Sequence, residues 1–405
     1  MSTLWRNREF TLLWTSQSLS DLGGAIATLA IPLLVLDVTD SALQAGAVGT
    51  AAQVAKLVCR LPSGVLADLL NRRRAMLACD VIRLLAFVAL AVAVATGHAG
   101  LTEIVVVAIV DAACGSLFNT TEHAALRSIV PATQLPDAVA RNEARSYGTS
   151  LAGPPLGGVL FGITAALPFI GNALSYLASL IGIALIRKPL QAEQRPHHHG
   201  HGAALLEGLR FVFGNSFLRT VLIIAAPLNL ALYGSMFTII VTLQANGVTP
   251  GVIGLTETIV GAGGLAGALA APALQRRLSF AVLIRGLCWA ATLFLAVSAL
   301  LTGSVAAAAP IALAIFVGPA CNAALFGYQA AITPDHLQGR VLSVIFLFAM
   351  SAATAAPLLA GVFVTAWSPS ASILLFAAAV SASASAATLA PAIREMRPLQ
   401  DAVPT

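Results

Sequence analysis

Long apolar runs recur from one end of this chain to the other. About 20 helical residues cross a bilayer core. There, every backbone amide must be bonded inside a helix or a closed barrel. Runs of that length predict an all-α integral membrane protein. Twelve occur, at residues 12–36, 43–67, 76–96, 101–121, 139–164, 168–186, 218–243, 250–273, 279–301, 305–327, 340–364 and 371–390. Composition agrees: the chain is 10% charged, against about 25% for a soluble domain. The first run is too long for a signal peptide and has no small-residue cleavage site, so it counts as a helix.

Basic residues beside short loops stay cytoplasmic. Here they fall in alternate loops: Arg6 and Arg8 before the first run, Arg72 to Arg74 after the second, Arg127, Arg141 and Arg145 around the fourth loop. Arg187, Lys188, Arg195 and Arg210 follow the sixth run, Arg276 and Arg277 the eighth, Arg340 the tenth, and Arg394 and Arg397 the last. The expectation is a multi-pass protein of the cell membrane with both termini cytoplasmic. Its net charge of +5 serves topology and contact with anionic lipid headgroups, so no nucleic-acid partner is implied. Cys59, Cys79, Cys114, Cys288 and Cys321 are odd in number and lack CxxC spacing, which argues against a disulfide framework or zinc site. The "HHHGH" at 197–201 reads as linker, and neither metal nor cofactor is expected.

A shift of 203 residues superposes Gly64, Leu66 and Ala67 on Gly267, Leu269 and Ala270, and Arg73 and Arg74 on Arg276 and Arg277. The same shift places Asn119 on Asn322, Pro131 on Pro334, and Pro154 and Gly158 on Pro357 and Gly361. One register serving Pro, Asn, Gly and paired Arg indicates a duplicated six-helix unit. Six is even, so the copies run parallel. The expected division is residues 1–186, a cytoplasmic linker at 187–210, and 211–405.

Two six-helix halves with a charged turn after the second helix resemble the major facilitator superfamily of secondary transporters. Its loop motif, G-x-L-A-D-R-x-G-R-R/K, is matched by Gly64, Leu66, Ala67, Asp68, Arg72 and Arg73, while Leu69 and Asn71 depart from it. The resemblance implies a cytoplasmic gate in which Asp68 engages the other half near a helix N-terminus, worth roughly 0.3–1 kcal/mol when exposed. The alternative for the arginines is topology alone. Gly64 is expected to let helices approach closely. Asp80 and Arg83, three apart, are expected to face one another in the same cluster. "GPPLGG", with Gly153, Pro154, Gly157 and Gly158, resembles the GPxxGG element of drug and proton antiporters. The start "LWRNREFTLLWTSQSLSDLG" looks like the macrolide and siderophore efflux branch.

Ionisable residues inside a membrane each cost something like 2.5–3.5 kcal/mol at its centre, so they point to sites. Asp21, Lys56, Arg60 and Asp111 lie within runs 1, 2 and 4, and mutual pairing would lower their cost. One reading is that Asp21 or Asp111 carries a coupling proton; the other is a static network joining helices. Gln17, Asn119, Asn229, Tyr233 and Asn322 are candidates for a substrate cavity, since the resemblance places helices 1, 4, 7 and 10 around one. Glu257, in the eighth run, is a further candidate, the alternative being that it lies closer to the outer face and simply reaches water. For Asn119 and Asn322, recurring at the repeat offset, a structural bond between helices is the favoured reading. The function expected is proton-coupled export of a small amphipathic molecule, such as a drug or siderophore, by a monomer. An importer on the same fold and a non-transporting receptor are the rivals. Neither a catalytic triad, a metal cluster nor a phosphate loop suggests an enzyme.

Overall fold

The computed structural model describes residues 3–191, 201–334 and 337–389; the side chains of Thr3, Leu61, Asp68 and residues 201–205 lie outside that description. Among the described residues every extended element is a helix. The first six runs become α1 (Arg8–Thr39), α2 (Ala42–Leu69), α3 (Arg72–Ala95), α4 (Leu101–Ile129), α5 (Leu135–Ile163) and α6 (Leu167–Leu185). After α7 (His201–Gly214) come α8 (Ser216–Ala245), α9 (Pro250–Arg277) and α10 (Phe280–Leu300). The eleventh and twelfth helices, α11 (Ala308–Phe316) and α12 (Gly318–Ile332), together make the tenth run. Next, α13 (Gln338–Thr354) and α14 (Ala356–Ala366) make the eleventh, and α15 (Pro369–Leu389) is the last. Among the described residues, ten segments, counting each broken pair once, are long and apolar enough to cross a membrane.

Local sequence explains the punctuation. Asn7, Ser41, Asn71 and Asn215 cap α1, α2, α3 and α8 by accepting from backbone N–H groups of the first turn, which satisfies donors the helix leaves orphaned. Pro319 and Pro357 fall in the first turns of α12 and α14. Their missing N–H and bulky ring interrupt the ladder at those places, which breaks each run in two.

The stretch expected as linker is partly helical, because α7 begins at His201. Val212 is fully buried with Leu218, Val341 and Val344, and Leu209 packs beside it, so an apolar stripe at helical spacing holds the segment down. Glu207 pairs with Arg340. His197, His198 and His199 fall outside the described residues.

The chain divides into two compact units, Met1–His197 with Gly247–Thr258, and His198–Asn246 with Ile259–Thr405. In the first, α1 packs on α5 and α6, α2 on α4, and α3 on α4 and α6. Its core gathers Phe10, Leu13, Met76, Phe118, Leu126 and Ile183. In the second, α8 packs on α13, α14 and α15, and α10 on α11 and α15. The pairings of α1 and α3 thus recur for α8 and α10, as a duplicated unit requires.

Small residues set how closely helices meet. A β-carbon on Gly157 of α5 would lie 2.6 Å from the Ile26 carbonyl oxygen of α1. One on Gly254, at the start of α9, would lie 2.5 Å from the Pro154 carbonyl oxygen. Gly153, Pro154 and Gly158 are buried in the same seam. Gly64, expected to permit a close approach, does not: a β-carbon there would meet nothing within 4 Å.

Candidate functional site

Three polar groupings interrupt the apolar core of the first unit. In one, α5 turns Arg145 inward until it is 9% exposed. Its Nη2 donates to Glu122 Oε1 of α4 at 2.9 Å, and Nε stands 2.9 Å from Asp21 Oδ2 of α1. The second contact is ionic without hydrogen-bond alignment, and Nη1 is buried with no hydrogen-bond partner among the described residues. Glu122 is almost wholly enclosed, whereas the Asp21 side chain keeps 29% of its surface open. Two carboxyl groups therefore share one guanidinium, and a buried charge left without a partner would be costly.

In the second grouping Arg83 Nε of α3 donates to Asp111 Oδ1 of α4 at 2.8 Å, and the Tyr176 hydroxyl of α6 donates to the same oxygen at 2.7 Å. The guanidinium also lies 4.0 Å from the centroid of the Tyr176 ring, a cation–π contact that desolvation strengthens. In the third, Gln17 Nε2 donates to Ser179 Oγ at 2.9 Å, which donates to Asp80 Oδ2 at 2.6 Å. Asp80 is fully buried and its Oδ1 has no partner among the described residues.

Several expectations are corrected by this arrangement. Lys56 and Arg60 are exposed on α2 and form no ion pair among the described residues; their part in stabilising Asp21 and Asp111 is taken by Arg145 and Arg83. Arg83 faces Asp111 rather than Asp80, because Asp80 points to α6 and Ser179. Arg72 and Arg73 do more than anchor a loop. Arg72 donates to the carbonyls of Ala124 at 3.2 Å and Leu190 at 3.1 Å, and Arg73 to that of Ala184. Cationic donors there complement the negative ends of α4 and α6. The Asp68 side chain lies outside the described residues.

Each unit holds a cavity. The first, about 330 Å³, is polar and includes Gln17, Asp21, Arg83, Asn119 and Glu257 in its wall. The second, about 430 Å³, is lined mainly by aliphatic side chains with Asn229, Tyr233 and Asn322 among them. Asn119 and Asn322, expected to bond neighbouring helices, are exposed to these cavities, one in each. Both lie within the usual size of small-molecule sites, roughly 300–1,000 Å³. Among the described residues no group of three His, Cys, Asp or Glu is placed to hold a metal ion.

Glu122, Arg145 and Tyr176 were not anticipated as site residues. Glu122 falls just beyond the expected fourth run, but Phe118, Ala125, Leu126 and Ile129 continue one buried helical face past it. That periodicity was the available signal.

Comparison with known proteins decides the family. The model described as "transmembrane secretion effector" matches residues 2–403. The chain belongs to this family of major facilitator transporters. It is a transporter and not an enzyme. The multidrug efflux pump Tap of Mycobacterium tuberculosis (strain H37Rv) is 29% identical, over 96% of this chain and 95% of the relative. Tap of Mycolicibacterium fortuitum is 27% identical over 84% and 85%. Among solved structures, an inward-facing bacterial homologue of the lysosomal transporter Spinster has a TM-score of 0.72 at 15% identity, covering 97% of both chains. The nucleoside transporter NupG gives 0.73 at 12% identity, over 94% of this chain and 99% of that one, in its D323A form. These likenesses show the major facilitator fold, so the expected architecture stands.

Proposed function

We propose that this transporter exports small amphipathic molecules from the cytoplasm by alternating access, driven by protons moving inward, with both termini cytoplasmic. The family relatives that match along nearly the whole chain are multidrug efflux pumps, and this supports the direction. The observation carrying the coupling is that Asp21 opens onto the polar cavity while sharing Arg145 with enclosed Glu122. A proton arriving on Asp21 cancels its hold on Arg145 and leaves the guanidinium to Glu122. Loss of that proton restores the competition. The charge-assisted bond between Arg145 and Glu122 is worth about 1.5–3 kcal/mol, enough to bias a two-state helix arrangement without locking it. His123, whose Nδ1 meets the Asn119 carbonyl, stands on the same stretch of α4. The turn carrying Gly64, Asp68, Arg72 and Arg73 is assigned to the cytoplasmic gate.

Direction is tested in inverted membrane vesicles with an acid interior, using fluorescent amphipaths such as ethidium and rhodamine 6G. Accumulation that a protonophore abolishes, and that Asp21→Asn removes, is the expected result. Uptake in the opposite sense, or accumulation indifferent to protonophore, overturns the proposal.

A further inference from the structure

Among the carboxyl groups in the wall of the first cavity, Glu257 stands apart. Asp21 is engaged by Arg145, and the cavity's own guanidinium, Arg83, is engaged by Asp111. Glu257 has no basic group within ion-pairing distance among the described residues. It sits in the first turns of α9, which belong to the first unit. Gly254, three residues earlier, packs on the Pro154 backbone, so the helix that carries Glu257 is pinned beside the cavity.

The rest of the wall offers acceptors. Thr28 Oγ1 donates to the Gly24 carbonyl at 2.9 Å, and Thr149 Oγ1 to the Arg145 carbonyl at 3.0 Å. Each hydroxyl proton is therefore spent on its own helix, and the oxygen lone pairs remain for a ligand. The cavity wall itself holds two carboxyl groups, Asp21 and Glu257, against one guanidinium, Arg83, which Asp111 already engages. An anion entering such a site would meet unbalanced negative charge. A cation bearing N–H donors would meet one free carboxylate and a ring of acceptor oxygens.

We infer that Glu257 is the specificity residue for a protonated aliphatic amine, its carboxylate taking the ammonium while Thr28 and Thr149 accept further N–H bonds. This deepens the exporter reading by naming the substrate class, and it rests on the cavity of that reading. The second cavity, with its aliphatic wall, has no charged lining residue among those described, so charge selection falls to the first.

The test is equilibrium binding to the full chain in lipid nanodiscs at neutral pH, with no gradient, using dansylcadaverine and its neutral N-acetyl derivative. The wild-type protein is expected to bind the amine at least tenfold more tightly. Glu257→Gln should weaken the amine about tenfold and leave the neutral compound within twofold, while Glu257→Asp keeps most of the preference. The inference is overturned if the wild type shows no preference, or fails to bind the amine. It is equally overturned if Glu257→Gln leaves amine binding intact, or weakens both compounds alike at an unchanged Tm. A preference that depends on Glu257, in vesicles that accumulate no dansylcadaverine, would remove the exporter reading and leave this one.

Discussion

Replacing Arg145 by Met removes the one cation that Asp21 and Glu122 share. The Glu122 side chain is 2% exposed and its bond to Arg145 is 2.9 Å long, so Arg145→Met leaves a carboxylate enclosed with no counter-charge. Breaking a buried pair by removing one partner costs about 3–5 kcal/mol. Glu122→Gln is milder: Arg145 keeps Asp21, which still reaches the cavity, and the loss should be nearer 2 kcal/mol, that of a charge-assisted hydrogen bond. The triple change Asp21→Asn, Glu122→Gln and Arg145→Met deletes every charge together and should return to within about 1 kcal/mol of the wild type, because the penalty belongs to orphaned charge and not to lost attraction. Unfolding by SDS in mixed micelles, followed by tryptophan fluorescence, measures all three. Trp14 Nε1 donates to the Arg141 carbonyl, so the probe sits at the same contact between α1 and α5. A triple variant as unstable as Arg145→Met, or a single variant indistinguishable from wild type, would refute the reasoning.

Gly157→Val should push α5 off α1, since its β-carbon would stand 2.6 Å from the Ile26 carbonyl oxygen; overpacking of this kind costs about 1–3 kcal/mol, and vesicle transport should be lost with it. Gly64→Ala, with nothing within 4 Å, should unfold at the same SDS fraction as the wild type. Lys56→Met should transport at the wild-type rate, since Lys56 is exposed and forms no ion pair among the described residues; a tenfold loss would refute this and give Lys56 a part in transport.

Much of the architecture was legible because a bilayer permits few alternatives. Runs of apolar residues became helices, and the constant offset of Asn119 on Asn322 and Pro154 on Pro357 reported a duplication visible again in the packing of α1 and α8. The acids at 21 and 111 were legible too, since ionisable groups inside apolar runs stand out. Their partners were not. Arg145 lies in the polar first half of α5 and reads as an anchor for topology, and Glu122 lies where hydropathy has already fallen. Pairing depends on where helices cross, and no one-dimensional pattern encodes that. Lys56 misled for the same reason: similar depth in two helices says nothing of facing direction.

The concentration of buried ionic groups in the first unit leaves the second freer to vary. Hydrophobic exchanges of similar volume in a packed wall usually cost less than about 1.5 kcal/mol, whereas any change to Asp21, Glu122 or Arg145 disturbs a balance of charge. Substitutions at Ile224, Leu228, Met236 or Ile315, which line the apolar cavity, can therefore accumulate and reshape that wall while the ion pairs of the first unit stay as they are. Variation would then gather in one copy of the duplicated bundle while the other is held fixed by its charge balance.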